Sequence, residues 1–351
     1  MGITRQSWGT TPDGAEVELF TLVNSQGHRA VIATYGATLV ELHMPDRTGS
    51  LSDVVLGYDS LNGYLNDCCF FGCMVGRVAN RISGASFVID GVTYDLDKNH
   101  GDHQLHGGSK GFNTHVWTAN PMETRDGPAV ALNLVSRDGD QGYPGTVETT
   151  VVYTLTETAL RLECHVVTDR TTVVNLTNHT CFNLSGDLTT DILDHVVTIN
   201  ASHYLATDDE QIPTGEVADL AGTPLDFLQP AAIGLRIEEP FDALVISQGY
   251  DHFYVIEGSP DSMKLAAQIF HGATGRGLEV RTTQPGVQFY SGNHMPEQVH
   301  GKLGVDYGRR SGLCMETQGY TDAPNQPGFP SVVLQPGEVY KQTTEYCFSV
   351  K

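Results

Sequence analysis

The sequence predicts an all-β protein built as one large antiparallel β-sandwich, on three observations. Residues 147–155 and 160–166 form a hairpin pattern, with period-two alternation on both arms and Thr156-Glu157-Thr158 between them. Short strand-like runs of the same kind recur along the chain, separated by turn residues. No stretch of twelve or more residues carries a clean 3.6-residue period, and the 38 glycines and 16 prolines are spread throughout instead of pooling in a linker.

In chain order, the first runs are 17–23, 29–34, 38–44 and 53–57. They are broken by Asn24-Ser25-Gln26-Gly27 and by Pro45-Asp46-Arg47-Thr48-Gly49, both clusters of turn formers. A β-rich run at 86–94 comes next. In the hairpin, Val147, Val151, Tyr153 and Leu155 share one face, and apolar 160, 162, 164 and 166 alternate with polar 161, 163 and 165. Further runs follow at 195–200, 252–257, 264–270 and 277–283. No internal repeat or low-complexity segment divides the 351 residues, so 1–351 reads as a single domain.

Composition narrows the function. Twenty basic against 42 acidic side chains leave a formal charge of −22, and the pI is near 4.8. That balance argues against recognition of nucleic-acid phosphates and disfavours an anionic membrane surface. The apolar runs are only a few residues long, too short to span a bilayer, and the opening residues Met1 to Gln6 lack a signal-peptide core. Seven cysteines, an odd number at irregular spacing and without CxxC, indicate neither a disulfide framework nor a zinc ribbon. Four Asn-x-Ser/Thr sequons begin at Asn175, Asn178, Asn183 and Asn200, and three crowd a strand-like segment where glycans would be awkward. A reduced, cytoplasmic protein with a neutral small-molecule partner is expected.

Two motifs are decoys. Gly107-Gly108-Ser109-Lys110-Gly111 matches G-x-S-x-G, but that motif needs a following helix, and Phe112-Asn113-Thr114-His115 does not read as one. His100, His103 and His106 are spaced by threes in a glycine-rich loop with no accompanying carboxylate motif, so no metal site is expected. Neither G-x-G-x-x-G nor a Walker sequence supports a nucleotide cofactor.

Polar groups inside apolar segments carry more weight. Asn178 and His179 lie among apolar neighbours, and Glu316 stands within Leu313-Cys314-Met315-Glu316-Thr317-Gln318, where burial is expensive unless the charge is paired. Gly76-Arg77-Val78-Ala79-Asn80-Arg81-Ile82 places two arginines around Asn80, either to clamp an oxygen-rich ligand or as plain surface charge.

From nearly one end to the other, the chain resembles the aldose 1-epimerase (galactose mutarotase) family. The resemblance rests on Tyr35-Gly36-Ala37-Thr38-Leu39, Pro45-Asp46-Arg47, Asp53-Val54-Val55-Leu56-Gly57, Gly76 to Ile82, Leu105-His106-Gly107-Gly108 with Lys110-Gly111-Phe112, and Asn178-His179-Thr180 with Phe182-Asn183-Leu184. It continues through Asp251-His252, Thr283-Gln284-Pro285-Gly286-Val287-Gln288-Phe289-Tyr290, Glu316-Thr317-Gln318, Asp322-Ala323-Pro324-Asn325, Phe329-Pro330 and Pro336-Gly337-Glu338. It departs at Cys181, where the family usually has Tyr, and at the crowded thiols Cys68, Cys69 and Cys73.

What the resemblance implies is a galactose mutarotase-like supersandwich that interconverts the α and β anomers of free hexoses without metal or redox cofactor. It implies Glu316 as general base and His179 as general acid. The implied sugar contacts are Asn80, Arg81, His106, Asp251 and Gln284, with Arg77 structural. A cleft of mixed Asn, Arg, His, Asp and Gln is the chemical complement of a ring of hydroxyls. The protein is expected to work as a monomer or homodimer. Two rival readings share the scaffold. A hexose-6-phosphate epimerase would want several converging cations, in which this chain is poor. A silent sugar-binding module would have lost the Glu or the His.

Overall fold

The structure is a computed structural model that describes residues 2–259 and 262–351. Three antiparallel sheets dominate it. The largest has nine strands, in the order Thr118–Glu123, Pro128–Ser136, Val147–Leu155, Ala159–Thr168, Tyr340–Val350, Arg276–Thr282, Lys264–Phe270, Val196–Ile199 and Ala231–Ala232. A six-stranded sheet runs Cys181–Phe182, Leu313–Gln318, Gly286–Tyr290, Asp251–Ile256, Ala201–Thr207 and Pro213–Asp219. The N-terminal five-stranded sheet is a meander from Gly2–Thr10 to Leu51–Asp53. One apolar cluster draws on all three: Leu132, Val151 and Leu162 from the first, Val287, Phe289 and Met315 from the second, Phe20, Ile32 and Leu42 from the third. That shared core is what makes the assembly a sandwich.

The hairpin forms as expected, with Val147 opposite Thr168 and Leu155 opposite Leu160. The run at 86–94 proves to be two strands, Ser86–Ile89 and Val92–Asp95. Asp90 and Gly91 between them both take positive φ, 51° and 76°, the two-residue turn that suits the twist of a hairpin. The run at 53–57 is mostly not strand: the strand is Leu51–Asp53, and Val55 makes a single bridge to Phe182. At Asn200 the chain leaves the nine-stranded sheet and enters the six-stranded one, so the expected strand at 195–200 continues as Ala201–Thr207. Among the described residues the only α-helices are Leu61–Leu65 and Asp242–Ser247, and no helix is long and apolar enough to cross a membrane.

Alternation in the six-stranded sheet sets up everything that follows. Leu313 and Met315 enter the large core, so Cys314 and Glu316 must face the other way; Val287 and Phe289 enter it, so Gln288 and Tyr290 do not. Tyr254 and Ile256 do the same for Asp251. One face of this sheet is core, and its opposite face gathers the polar side chains.

The G-x-S-x-G match is a turn. Phe112–Thr114 is a single 3₁₀ turn, and Ser109 donates its hydroxyl hydrogen bond to the Asp97 carboxylate at 2.6 Å. Gly107 has φ +86°, and a Cβ there would collide with the Gly76 carbonyl oxygen. Gly107→Ala is therefore expected to destabilise the fold by about 1–3 kcal/mol or more, read as a lowered urea midpoint. A wild-type midpoint would show that this loop is not held as described.

Candidate active site

Above the polar face of the six-stranded sheet is an open cleft of about 230 Å³, lined among others by Asn80, Arg81, His106, His179, Gln211, Asp251 and Glu316. Strand Leu313–Gln318 lies between Cys181–Phe182 and Gly286–Tyr290 and carries Glu316 to the floor, where only 3% of its surface is exposed. His179 comes from the segment just before Cys181–Phe182. Its Nε2 lies 3.7 Å from Glu316 Oε1. The other carboxylate oxygen, Oε2, is buried with no hydrogen-bond partner among the described residues. An acceptor left so costs free energy unless something arrives to fill it.

Electrostatics follow from this geometry. Burial raises the Glu316 carboxyl, and the His179 cation only partly offsets that, leaving it at about 7. Burial works against the His179 cation, but Glu316 and then Cys181 outweigh it and lift the imidazole to about 10. Just above neutrality the pair stands as carboxylate and imidazolium, one group ready to take a proton and the other to give one. His106, whose ring is 5.3 Å from that of His179 and nearly perpendicular to it, behaves oppositely. Burial, reinforced by the His179 charge, holds it well below the usual histidine range. The Asn80 backbone N–H donates to His106 Nδ1 at 3.2 Å, so the neutral ring keeps its proton on Nε2 as a donor.

The wall beside this pair is a chain of hydrogen bonds. Asn80 Oδ1 accepts from the Arg81 N–H at 2.9 Å. Arg81 Nη2 donates to Gln211 Oε1 at 2.6 Å, and Gln211 Nε2 donates to Asp251 Oδ2 at 3.3 Å. Gln288 Nε2 donates to Asp251 Oδ1 at 2.6 Å. Phe70, at φ +57°, closes the opposite side with its ring 4.8 Å from His106.

The structure thus gathers six of the seven expected site residues, Asn80, Arg81, His106, His179, Asp251 and Glu316, into one cleft. It does not bring in Gln284. That residue precedes Pro285, outside strand Gly286–Tyr290, and lines a separate cavity of about 610 Å³ with Asn175, Tyr320 and Tyr340. The glutamine that reaches Asp251 is Gln288, four residues on. Its position is readable from alternation, because Val287 and Phe289 on either side are core. Gln211 was not foreseen: it sits in the turn after Ala201–Thr207 at φ +60°, and no local pattern marks it. Arg77 is structural, as expected. It is buried, donates to the Pro144 and Gly145 carbonyls at 2.8 and 2.9 Å, and rests on the Tyr143 ring.

Of the spaced histidines, His103 Nδ1 accepts from the Gly84 N–H, while His100 and His106 both line the cleft. Donor atoms of His106, His179 and Glu316 lie within 4.8 Å of one another, as do those of His179, Cys181 and Cys314. The first group contains the Glu316–His179 pair described above.

Fold and cleft together define a class: large antiparallel sandwiches that hold a carboxylate–imidazole pair beneath a small, polar, open cleft. The family model for aldose 1-epimerase matches residues 18–347. Galactose mutarotase from Bos taurus is 44% identical over 351 residues, covering 100% of this chain and 99% of that one. Aldose 1-epimerase from Escherichia coli is 35% identical, with 96% of each chain covered. The crystal structure of galactose 1-epimerase from Lactobacillus acidophilus superimposes with a TM-score of 0.87 at 27% identity, covering 99% of both chains. The chain belongs to the aldose 1-epimerase family and is an enzyme of that family.

Proposed function

We propose that this enzyme interconverts the α and β anomers of free hexoses such as galactose and glucose by acid–base ring opening. The observation that carries the reading is the Glu316–His179 pair at 3.7 Å on the cleft floor, with one carboxylate oxygen buried and unpartnered. Glu316 takes the proton of the C1 hydroxyl, whose oxygen becomes the aldehyde oxygen as the C1–O5 bond breaks. His179 gives its proton to O5, which leaves as a hydroxyl. The aldehyde turns about C1–C2, and the same transfers in reverse close the ring from the other face. Each proton returns to where it began, so nothing is consumed. His106 donates from Nε2 beside the ring oxygen, while Arg81, Asn80 and Asp251 hold the remaining hydroxyls. We also read 1–351 as one domain, with a core that draws on strands from both ends of the chain.

Arg81 is the only Lys or Arg among the residues lining the cleft, which weighs against a phosphosugar. Polarimetry on freshly dissolved α-D-galactose and α-D-glucose, in chelator and without added cofactor, tests the reading. Faster relaxation to an unchanged final rotation is expected. No acceleration with either sugar would sink it and shift the weight to a phosphosugar or a silent binding module.

A second test separates the two glutamines. Gln288→Ala removes the donor that orients Asp251 and is expected to raise KM about tenfold, the scale of one hydrogen bond to a charged group. Gln284→Ala should leave KM unchanged. Equal effects of the two substitutions would remove Gln288 from the sugar site.

A further inference from the structure

The imidazole of His179 has a second face. Its Nε2 is turned to Glu316, whereas its Nδ1 lies 3.8 Å from Cys314 Sγ and 4.0 Å from Cys181 Sγ. Both thiols are free and wholly buried. Their placement follows from sheet geometry. Cys181 and Cys314 are paired residues on adjacent antiparallel strands. His179 lies two residues before Cys181, and Glu316 two after Cys314, so each shares a face with its cysteine. The same antiparallel register carried two residues along sets His179 across from Glu316, 3.7 Å away. Four reactive side chains form a block, the imidazole shared between a carboxylate and two thiols.

Two sulfurs and one imidazole nitrogen within 4.8 Å of each other are the donor set preferred by soft and borderline cations. Zn–S and Zn–N bonds of about 2.3 and 2.0 Å at a tetrahedral angle put N and S about 3.5 Å apart. The distances here need to close by only a few tenths of an ångström.

We propose that His179 Nδ1, Cys181 Sγ and Cys314 Sγ form a binding site for a soft divalent cation of the Zn²⁺ or Cd²⁺ kind, and that a cation bound there shuts off proton donation by His179. On binding, each thiol releases its proton and Nδ1 releases its own. Two thiolates then balance the cation's charge. The ring keeps a proton on Nε2 but can no longer become an imidazolium, and the proton left on a neutral ring is too weakly acidic to pass to a ring oxygen. The site itself stands on geometry alone, while its effect on turnover rests on the role given to His179 above.

Cd²⁺ is the probe, with each sample preincubated because both thiols lie beneath the cleft floor. Wild-type protein is expected to develop thiolate-to-cadmium absorption in the ultraviolet and a cadmium NMR signal typical of mixed sulfur and nitrogen ligands. Turnover should fall about 100-fold or more, the value of a general acid, and recover with chelator. Cys181→Ser and Cys314→Ala should each weaken the absorption titration by at least about 10–100-fold, since loss of even an outer-shell partner costs that much. Cys68 and Cys69, whose sulfurs are 3.7 Å apart at the cleft mouth, are the competing thiols. Cys68→Ser/Cys69→Ser should keep the tight site. Loss of the signal in that double variant but not in Cys181→Ser would overturn the proposal, as would a cadmium resonance typical of oxygen ligands in the wild type. A full thiolate signal with undiminished turnover would keep the site and remove His179 from the acid role instead.

Discussion

Glu316→Gln is expected to lower kcat by about 10²–10⁴, the range of a positioned general base, while sugar affinity by calorimetry changes little. The amide keeps the size of the carboxylate but cannot take the C1 hydroxyl proton. His179→Asn should fall into the same range, because the ring oxygen would then leave without a donor. Both are best read as exchange between the two anomeric proton signals in NMR, with the uncatalysed rate subtracted. Either variant turning over near the wild-type rate would strike out that residue's role.

A bell-shaped pH dependence should accompany these losses. Glu316 must be ionised to act, so kcat/KM is expected to rise through about pH 7, where burial has placed its carboxyl. His179 must be protonated, so activity should persist well past neutrality and fall near pH 10, to which Glu316 and Cys181 lift the imidazole against its burial. The sign on each limb is definite: acid removes the base, and alkali removes the acid. An alkaline limb at the ordinary histidine value, near pH 6.5, would mean that the ion pair does not hold the His179 proton.

How far the sequence could be read depended on where polar groups were buried. The hairpin of 147–155 and 160–166 was legible because its inward positions, Thr149 apart, are apolar and most of its outward ones polar. Strand Tyr340–Val350, the longest of all, escaped notice because Gln342 and Thr344 point inward. They can do so because Gln342 Nε2 donates to the Thr317 carbonyl at 2.9 Å and the Thr344 hydroxyl meets that of Thr317 at 2.6 Å. Pairing across sheets makes such side chains tolerable inside, and a single strand's pattern does not contain its partner. The same limit governs the site. Glu316 stood out as a charge in an apolar strand, and Asn80, Arg81 and His106 came with the family resemblance. Gln288 was passed over for Gln284 in one short block, though alternation around Val287 and Phe289 distinguishes them. Gln211 reaches Asp251 only through a turn geometry that leaves no local mark.

That inconspicuous strand also governs the order of assembly. Tyr340–Val350 sits between Ala159–Thr168 and Arg276–Thr282 in the nine-stranded sheet, yet it is the last strand of that sheet to be synthesised. Until it arrives, the growing chain holds two part-sheets, each with an open hydrogen-bonding edge where its neighbour belongs. Unpaired edges invite pairing with other chains, and contacts this distant in sequence close slowly. The nascent protein is therefore open to such pairing until this strand is made, and the strand that joins the two halves closes both edges.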